Sequence, residues 1–294
     1  MTIAKKIAFV VLMSSVFATF AMAQSDVFGA MAPKSNTTQK SKEINKNLPD
    51  MPNKIDEKGR KQGKWAKKYA NGQYKYVATF VDDKPVGKVV RYTEEGKKIS
   101  ESSFNADGSA NVTYFHDNGN KASEGRYTIN KKRDGLWVYY NERKVKVAAE
   151  NYSNGKLNGT SYTYYENGQV AEEINYVNDE LHGPWFQYLQ SGKRRLDTHY
   201  VNGKLDGLYK YWDENGFLSV EGRYRNGIQI GDWKIYEENG SSKYFTLQYD
   251  NNGTLLNEDE FQKRMNDKLD ELEAKRKFIV DPADYMNTPE LYKP

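Results

Sequence analysis

Short segments in which Tyr, Trp, Val and Ile alternate with Glu, Lys and Ser fill most of this chain. Alternation with a period of two residues is typical of β-strands that bury one face. Turn-forming pairs separate these segments, and Asn-Gly alone occurs ten times. Because Asn-Gly suits the type I′ turn, which needs positive φ at two successive residues, the pattern predicts a series of β-hairpins.

The hairpins recur with a period of 24 residues, which a column of glycines marks. The column consists of Gly63, Gly87, Gly135, Gly159, Gly183, Gly207 and Gly231. Its one vacant position holds Asn111, and asparagine is the non-glycine residue that best tolerates positive φ. Columns of aromatic residues and a second column of glycines keep the same phase. The chain is therefore predicted to contain about eight repeats.

A 24-residue unit with two strands is too small for a propeller blade, which needs about 40 residues. We therefore predict an all-β fold: an elongated open antiparallel meander of about eight β-hairpin repeats with a C-terminal capping helix. An isolated hairpin is marginally stable in water, so stacked aromatic columns are expected to supply the burial. The aromatic residues proposed for packing or partner contact are Trp65, Trp137, Trp185, Trp212, Trp233, Tyr164, Tyr188 and Tyr236.

One unit reads Gly-x-Trp-x-x-Tyr, then Glu-Asn-Gly, then a polar run that ends in Tyr, then Asn-Gly-Lys-x-x-Gly. This pattern resembles the MORN-repeat superfamily, and specifically its bacterial MORN-variant repeats, over roughly residues 55–250. The resemblance implies a single-layer antiparallel sheet that contacts proteins or lipids, with no catalytic residues common to the family. Some bacterial members are similar to the antitoxin half of toxin–antitoxin pairs.

The first 23 residues are typical of a Sec signal peptide: Lys5 and Lys6 precede an apolar stretch and an Ala-Met-Ala cleavage site. We therefore expect an exported protein that is soluble in the periplasm or secreted. The chain has no cysteine, so neither a lipid anchor nor a disulfide is expected. Residues 24–54 are polar and rich in lysine, which predicts a flexible tether. It is either a disordered leader or an arm that reaches a partner.

Residues 55–256 are predicted to form the repeat region, and 257–294 a helix with an extended tail. Asn257 followed by Glu260 predicts a capping box at the helix start. Apolar residues then recur at helical spacing: Phe261, Met265, Leu269 and Leu272. This narrow stripe suits one helix that covers the exposed edge of the sheet, and the alternative is a dimerising coiled coil.

The formal net charge of +4 falls to +2 once Lys5 and Lys6 are removed with the signal peptide. A nearly balanced charge, together with export, argues against a nucleic-acid partner. His116, His182 and His199 share no metal-ligand spacing, and no catalytic, phosphate-binding or dinucleotide motif is recognised. The sequence therefore predicts a protein that is not an enzyme and has no metal or cofactor.

These observations predict a non-enzymatic exported repeat protein that acts as an interaction or scaffold module of the cell envelope, with a protein partner. The alternative is a module that binds glycan, peptidoglycan or lipid through exposed aromatic columns. The two hypotheses differ in which aromatic columns reach the surface. The oligomeric state stays open.

Overall fold

The computed structural model describes residues 51–237 and 242–276. These residues form nineteen β-strands and, after them, one α-helix. The strands are β1 Lys54–Ile55, β2 Lys61–Lys68, β3 Tyr74–Val81, β4 Lys84–Tyr92, β5 Lys98–Phe104, β6 Ala110–Phe115, β7 Lys121–Tyr127, β8 Arg133–Tyr140, β9 Lys146–Ser153, β10 Lys156–Leu157, β11 Gly159–Tyr164, β12 Val170–Val177, β13 Glu180–Tyr188, β14 Arg194–Val201, β15 Lys204–Leu205, β16 Gly207–Trp212, β17 Leu218–Arg225, β18 Ile228–Tyr236 and β19 Tyr244–Tyr249, and the helix is α1, Glu258–Arg276. The predicted signal peptide, residues 24–50 of the predicted tether and the tail from residue 277 onward lie outside the described residues.

The strands follow one another across a single antiparallel sheet in sequence order. Two strands are each interrupted and so divided in two: β10 and β11 both pair with β9, and β15 and β16 both pair with β14. The prediction of an all-β fold, an open antiparallel meander of hairpins with a C-terminal helix, is confirmed.

Two kinds of turn alternate along the sheet. In the Asn202-Gly203 turn both residues have positive φ, 47° and 72°, as a type I′ turn requires. In the two Glu-Asn-Gly turns that the structure describes, residues 166–168 and 214–216, only the glycine does, as at Gly168 with a φ of 83°. There Tyr165 and Gln169 close a three-residue loop through the Tyr165 N–H and the Gln169 carbonyl, 2.9 Å apart. The prediction of type I′ geometry is therefore wrong for the Glu-Asn-Gly turns.

The 24-residue glycine column lies inside strands and not at the hairpin turns. All seven glycines have positive φ, from 61° at Gly87 to 111° at Gly183. Around Gly183 the pairing shifts, because Ile174 faces Trp185 whereas Tyr176 faces Leu181. Two extra residues on β13 thus form a bulge, and glycine accepts the left-handed conformation there without a Cβ clash. The same shift recurs in β4, β8 and β18.

Asn111, at the vacant position, does not have positive φ, so the expectation drawn from its tolerance is wrong. A three-residue loop joins β5 to β6, and the two strands then pair without any shift of register. Without the bulge, the next residues slip by one position. His116 therefore begins a turn, with its N–H 2.8 Å from the Asn120 carbonyl, and does not belong to the aromatic column of the strands.

The sheet has one packed face and one partly exposed face. We call face A the side that carries Trp137 and Trp233, and face B the side that carries Tyr140 and Tyr236. The larger core cluster lies on face A and consists of Ile174, Trp185, Leu196, Tyr200, Leu205, Tyr209, Tyr211, Val220, Tyr224, Trp233, Ile235, Phe245 and Leu247. A smaller cluster contains Val112, Trp137, Tyr139 and Ala148. The burial thus increases toward the C-terminal end of the sheet.

Two glycines on face A make room for tryptophan rings. A Cβ atom on Gly222 would lie 2.2 Å from the Trp233 ring, and one on Gly125 would lie 2.3 Å from the Trp137 ring. Tyr224 packs edge-on against Trp233 with a centroid distance of 4.9 Å. Because the indole lies across the neighbouring strand, Trp233 is only 1% exposed although the sheet is a single layer.

Asparagine side chains cap both edges of the sheet. At the first edge, Asn53 accepts from the Ala66 N–H at 2.8 Å and donates to the Ala66 carbonyl at 3.0 Å. At the last edge, Asn257 accepts from the Gln248 N–H at 3.0 Å and donates to the Thr246 carbonyl at 2.8 Å. Each side-chain amide thus occupies the place of a further strand, which protects an edge that could otherwise pair with another chain.

The Asn257 side chain therefore serves β19, and the prediction of a capping box at this residue is wrong. The residues just before the helix, and not the helix itself, cover the edge, since the Leu256 N–H also donates to the Gln248 carbonyl at 2.7 Å. The helix α1 packs on the apolar end of face A through Phe261 and Met265. Further along the helix, Leu269 is 48% exposed.

Replacing Gly222 by alanine is expected to lower the free energy of unfolding by about 1–3 kcal/mol, because the new methyl group overlaps the Trp233 ring. Urea denaturation of the full chain measures the effect. The control is the same Gly222→Ala change in a Trp233→Leu background, where the overlap is relieved and the additional loss should be small. An equal loss in both backgrounds would show that the ring does not need the glycine.

Replacing Asn257 by alanine removes two hydrogen bonds from β19 and uncovers its edge. We expect a loss of about 1 kcal/mol in stability and increased self-association, measured by light scattering after gel filtration. Asn252→Ala is the matched control, because the Asn252 side chain is exposed in the preceding turn. An Asn257→Ala protein with unchanged mass and denaturation midpoint would contradict the edge-cap interpretation.

Candidate interaction surface

The eight aromatic residues proposed from the sequence divide between the two faces. Trp137, Trp185 and Trp233 are buried on face A. Trp65 is half-buried on the same face and meets Phe80 edge-on at 6.3 Å. On face B, four residues are half-buried: Tyr164, Tyr188, Trp212 and Tyr236. One set therefore forms the core of the sheet, and the other set forms part of its surface.

Hydrogen bonds fix three of the four indoles on face A. The indole N–H of Trp65 donates to the Lys54 carbonyl at 2.8 Å, and that of Trp137 donates to the Arg126 carbonyl at 3.1 Å. The Trp185 indole donates to the Glu172 carboxylate at 2.6 Å. The Trp233 indole nitrogen is buried without a hydrogen-bond partner among the described residues, so packing alone holds its ring.

Face A carries an unbroken line of cross-strand neighbours, which we call row A. Each member lies directly opposite the next in the register of the sheet. From β2 to β19, row A consists of Lys67, Tyr76, Arg91, Ser100, Tyr114, Ser123, Tyr139, Ala148, Thr163, Glu172, Gln187, Leu196, Tyr211, Val220, Ile235 and Phe245. Successive members are about 5 Å apart, so row A runs along the whole sheet.

The chemistry of row A changes from one end of the sheet to the other. At the C-terminal end Leu196, Val220 and Ile235 are buried. At the N-terminal end Lys67 and Arg91 are exposed, and neither forms an ion pair in the described part of the chain. The first repeats therefore leave open, and charged, the face that the last repeats fill with apolar side chains.

A hydrogen-bond network lies on face A between these two ends. Arg133 donates to the hydroxyls of Tyr139 at 3.0 Å and Tyr152 at 2.8 Å, and its guanidinium is 4.8 Å from the centre of the Trp137 ring. Tyr152 in turn donates to Glu150 at 2.7 Å. Burial raises the pKa of Tyr139 well above its usual range, so this hydroxyl stays protonated. The network joins the two strands of the β8–β9 hairpin by polar contacts where the apolar core is thin.

Face B repeats a contact between glutamate, lysine and tyrosine. Glu124 accepts from Lys121 at 2.7 Å and from the Tyr140 hydroxyl at 2.9 Å. Glu221 accepts from Lys234 at 3.0 Å and from the Tyr236 hydroxyl at 3.1 Å. The rings are thus held in place while remaining half-exposed.

Cations lie beside two further rings of face B. The Lys146 ammonium is 3.8 Å from the centre of the Tyr164 ring, and the Arg194 guanidinium is 5.0 Å from that of Tyr188. Such contacts stabilise a ring by roughly 0.5–1 kcal/mol at exposed sites. Face B therefore presents fixed aromatic rings whose surroundings are charged.

The comparison with protein families identifies the repeats. A family model described as MORN repeat variant matches residues 157–178 and 205–226. These two segments are MORN-variant repeats. Each matched MORN segment runs from the end of one type I′ hairpin, through a bulge glycine, to the next type I′ turn. Such repeats generally serve as interaction modules for proteins or membranes and are generally not enzymes. No curated protein matches the chain.

The chemistry outside the MORN repeat pattern is sparse. Among residues 51–237 and 242–276, no group of three or more His, Asp or Glu side chains could hold a metal ion. The His116 Nε2–H donates to the Tyr140 carbonyl at 2.8 Å, and the His182 Nδ1 accepts from the Asn202 N–H at 3.4 Å. In the described part of the chain, no helix is long and apolar enough to cross a membrane.

The sequence did not point to Lys67, Arg91 or Asn53, and it assigned Asn257 to the start of the helix and not to the edge of the sheet. Lys67 and Arg91 share one column of the repeat, four residues after a glycine of the 24-residue column. The later repeats place uncharged residues in that column, among them Gln187, Tyr211 and Ile235. This change of charge within one column could have pointed to Lys67 and Arg91. The face of the sheet on which the column lies followed only from the positions of the bulges.

Acid is expected to weaken the sheet through the face B carboxylates. Hydrogen bonding from Lys121 lowers the pKa of Glu124, and in Glu221 burial raises the pKa but hydrogen bonds from Lys234 and Tyr236 outweigh it. A carboxyl whose pKa is lowered in the folded state stabilises the fold at pH values above its ordinary pKa of 4.5. This stabilisation is lost as the pH falls through the folded-state pKa.

The melting temperature should therefore fall as the pH drops below 4.5, and Glu221→Gln should make this fall shallower. Calorimetry from neutral pH to about pH 3 measures both slopes. The control is Glu214→Gln, because Glu214 is exposed in a turn and forms no ion pair in the described part of the chain. An identical pH slope for wild type and Glu221→Gln would refute the assignment.

Proposed function

We propose that this protein is a non-catalytic interaction module that is exported to the cell envelope and binds a protein partner on face A. The observation that carries the proposal is the contrast along row A. Its C-terminal end is filled by the core and by α1, whereas in its N-terminal half Lys67 and Arg91 are exposed and Tyr76 and Tyr114 are half-buried. A repeated architecture with one open end of a continuous face suits the binding of an extended surface.

The family supports the interaction role, and residues 1–23 support export. The signal-peptide pattern of Lys5, Lys6 and the apolar stretch would place the repeat region outside the cytoplasm. A protein partner is favoured over a lipid or a glycan because the open part of face A combines tyrosine hydroxyls, cations and small side chains. Tyrosine and arginine are enriched in the parts of protein interfaces that contribute most to affinity.

A second candidate is a glycan-binding role for face B. Burial of the tryptophan column removes the platforms that the sequence suggested, but Tyr164, Tyr188, Trp212 and Tyr236 remain half-exposed. Cations lie beside the rings of Tyr164 and Tyr188, and hydrogen bonds hold the hydroxyls of Tyr188 and Tyr236, which suits stacking against a flat ligand. Face B is therefore a second candidate binding surface, and its contacts should be compared with those of face A in one experiment.

Photo-crosslinking from two adjacent residues separates the faces. Tyr114 lies in row A, and its neighbour Thr113 lies on face B. With p-benzoylphenylalanine at either position in the full chain, we expect crosslinks to an envelope protein from position 114 and few from position 113. The two sites share a strand and a cellular location.

Crosslinks to protein from position 113 alone would overturn the choice of face A. Peptidoglycan fragments attached at position 113 would support the glycan-binding role instead. Recovery of the crosslinked protein in the cytoplasmic fraction, with its first 23 residues intact, would overturn the proposed export.

A further inference from the structure

The first two repeats depart from the rest of the chain in charge. Residues 54–98 contain thirteen lysines and arginines against six aspartates and glutamates, a formal charge of +7. Residues 157–237 contain eight basic and twelve acidic residues, a formal charge of −4. The nearly balanced total therefore conceals a basic end of the sheet and an acidic second half.

Within the basic end, two cations share one line on face A. Lys67 of β2 lies opposite Tyr76 of β3, which lies opposite Arg91 of β4. Two strand spacings separate the cations, so their Cα atoms are about 10 Å apart. Both side chains are exposed. Among the sixteen residues of row A, these are the two cations, and Glu172 is the one acid.

The floor around these cations is made of small residues. Ala78, opposite Trp65, is 3% exposed, and Ser100, opposite Arg91, is 4% exposed. Ser102, another small residue, lies opposite Val89 and is half-buried. Larger side chains occupy face A in the later repeats, such as Ile174, Leu196 and Leu247. The first repeats thus form a shallow trough, with Trp65 at one end and Tyr114 at the other.

The charge of Arg91 reaches across this trough. Burial raises the pKa of Tyr114, and the positive charges of Arg133 and Arg91 act in the opposite direction. Arg133 is engaged by the hydroxyls of Tyr139 and Tyr152, whereas Arg91 forms no ion pair with a described residue. In a repeat protein the other repeats serve as an internal comparison. Lys67 and Arg91 depart from the uncharged residues that later repeats place in the same column, which points to a functional role.

We propose that Lys67, Tyr76 and Arg91 form a docking site for an acidic polypeptide segment of the protein partner. This inference rests on the proposed function and specifies the chemistry of the partner. The spacing fits a segment in an extended, polyproline II-like conformation, in which every third side chain points the same way and recurs about every 9 Å. Carboxylates at that spacing would meet Lys67 and Arg91 together while the intervening residues cover Tyr76.

A polypeptide segment is favoured over an anionic membrane by the position of the charges. A flat lipid surface would reach exposed cations on either face, including Lys64 of β2 and Lys84 of β4. The distinguishing feature of Lys67 and Arg91 is their alignment with an aromatic ring in the trough that crosses strands β2 to β6. A narrow chain fits such a trough better than an extended bilayer does.

The probe is a fluorescein-labelled peptide of about twelve residues that repeats Glu-Ser-Gly, which places a carboxylate at every third position. Fluorescence anisotropy measures its binding to the full chain at low salt. A peptide that repeats Gln-Ser-Gly, and one of the same composition with all its glutamates adjacent, test the need for charge and for spacing. We expect the spaced acidic peptide to bind most tightly of the three.

Lys67→Glu combined with Arg91→Glu should weaken binding of the acidic peptide by about tenfold or more. The matched control is Lys64→Glu combined with Lys84→Glu, which changes the same strands by the same charge but on face B. It should weaken binding by less than about threefold, since it alters only the long-range field. All four side chains are exposed, so melting temperatures should stay close to that of the wild type.

Equal weakening by the two double variants would overturn the site, as would failure of the acidic peptide to bind the wild type. Vesicles that contain phosphatidylglycerol form the comparison arm. If the double variant weakens the binding of these vesicles more strongly than it weakens the binding of the peptide, the surface recognises lipid and the proposal fails. If the protein crosslink at position 114 persists undiminished in the Lys67→Glu, Arg91→Glu protein, this inference fails while the proposed function stands.

Discussion

A sheet of one layer has no second layer to pack against, so each aromatic side chain on face A must find its burial on the neighbouring strand. The rings of Trp137 and Trp233 do this by lying across Gly125 and Gly222, where any side chain would occupy the space of the indole. The contact joins residues about a dozen positions apart, which are neighbours because a hairpin folds back on itself. The stability of the whole sheet is therefore a sum of local contacts between adjacent hairpins, as expected for a repeat protein.

The bulges determine which side chains take part in those contacts. Side chains alternate between faces with a period of two, so a strand that gained or lost one residue would exchange its faces. The bulge around Gly183 adds two residues, which keeps Gln187 on face A opposite Glu172. Repeating this correction keeps row A unbroken across the sheet. Where the bulge is missing, at Asn111, the chain compensates with a different turn and a slip of one residue, so that Tyr114 still joins the row.

The sequence predicted the repeats, the hairpins and the helix because each leaves a local signal. Alternation, Asn-Gly pairs and a fixed period are visible in consecutive residues. It could not separate a turn glycine from a bulge glycine, since both need positive φ and recur with the same period. It also misread Asn257, because an asparagine before a helix resembles an N-cap whether its amide meets the helix or the last strand. The strand that Asn257 meets is set by tertiary contact.

The same limit explains why the candidate site was hidden. Lys67 and Arg91 are separated by 24 residues, and in the sequence each is one lysine or arginine among many. They become one feature only through Tyr76, whose position opposite both follows from the hairpin register. The four aromatic residues on face B could likewise not be told from the core tryptophans until it was known which residues of each strand point to which face.

The two ends of face A differ because the chain itself fills one of them. The helix α1 places Phe261 and Met265 against the last strands, where row A is already apolar, and the stacking of Phe261 on Phe245 at 6.0 Å extends the core beyond the sheet. At the first strands Asn53 covers the edge but no described element covers the face. An apolar face left open there would invite aggregation, and cations prevent this while allowing a partner of opposite charge. The charge of Lys67 and Arg91 thus satisfies a structural constraint and serves the proposed binding role at the same positions, which is why the two roles have to be separated by comparison with equally charged residues on face B.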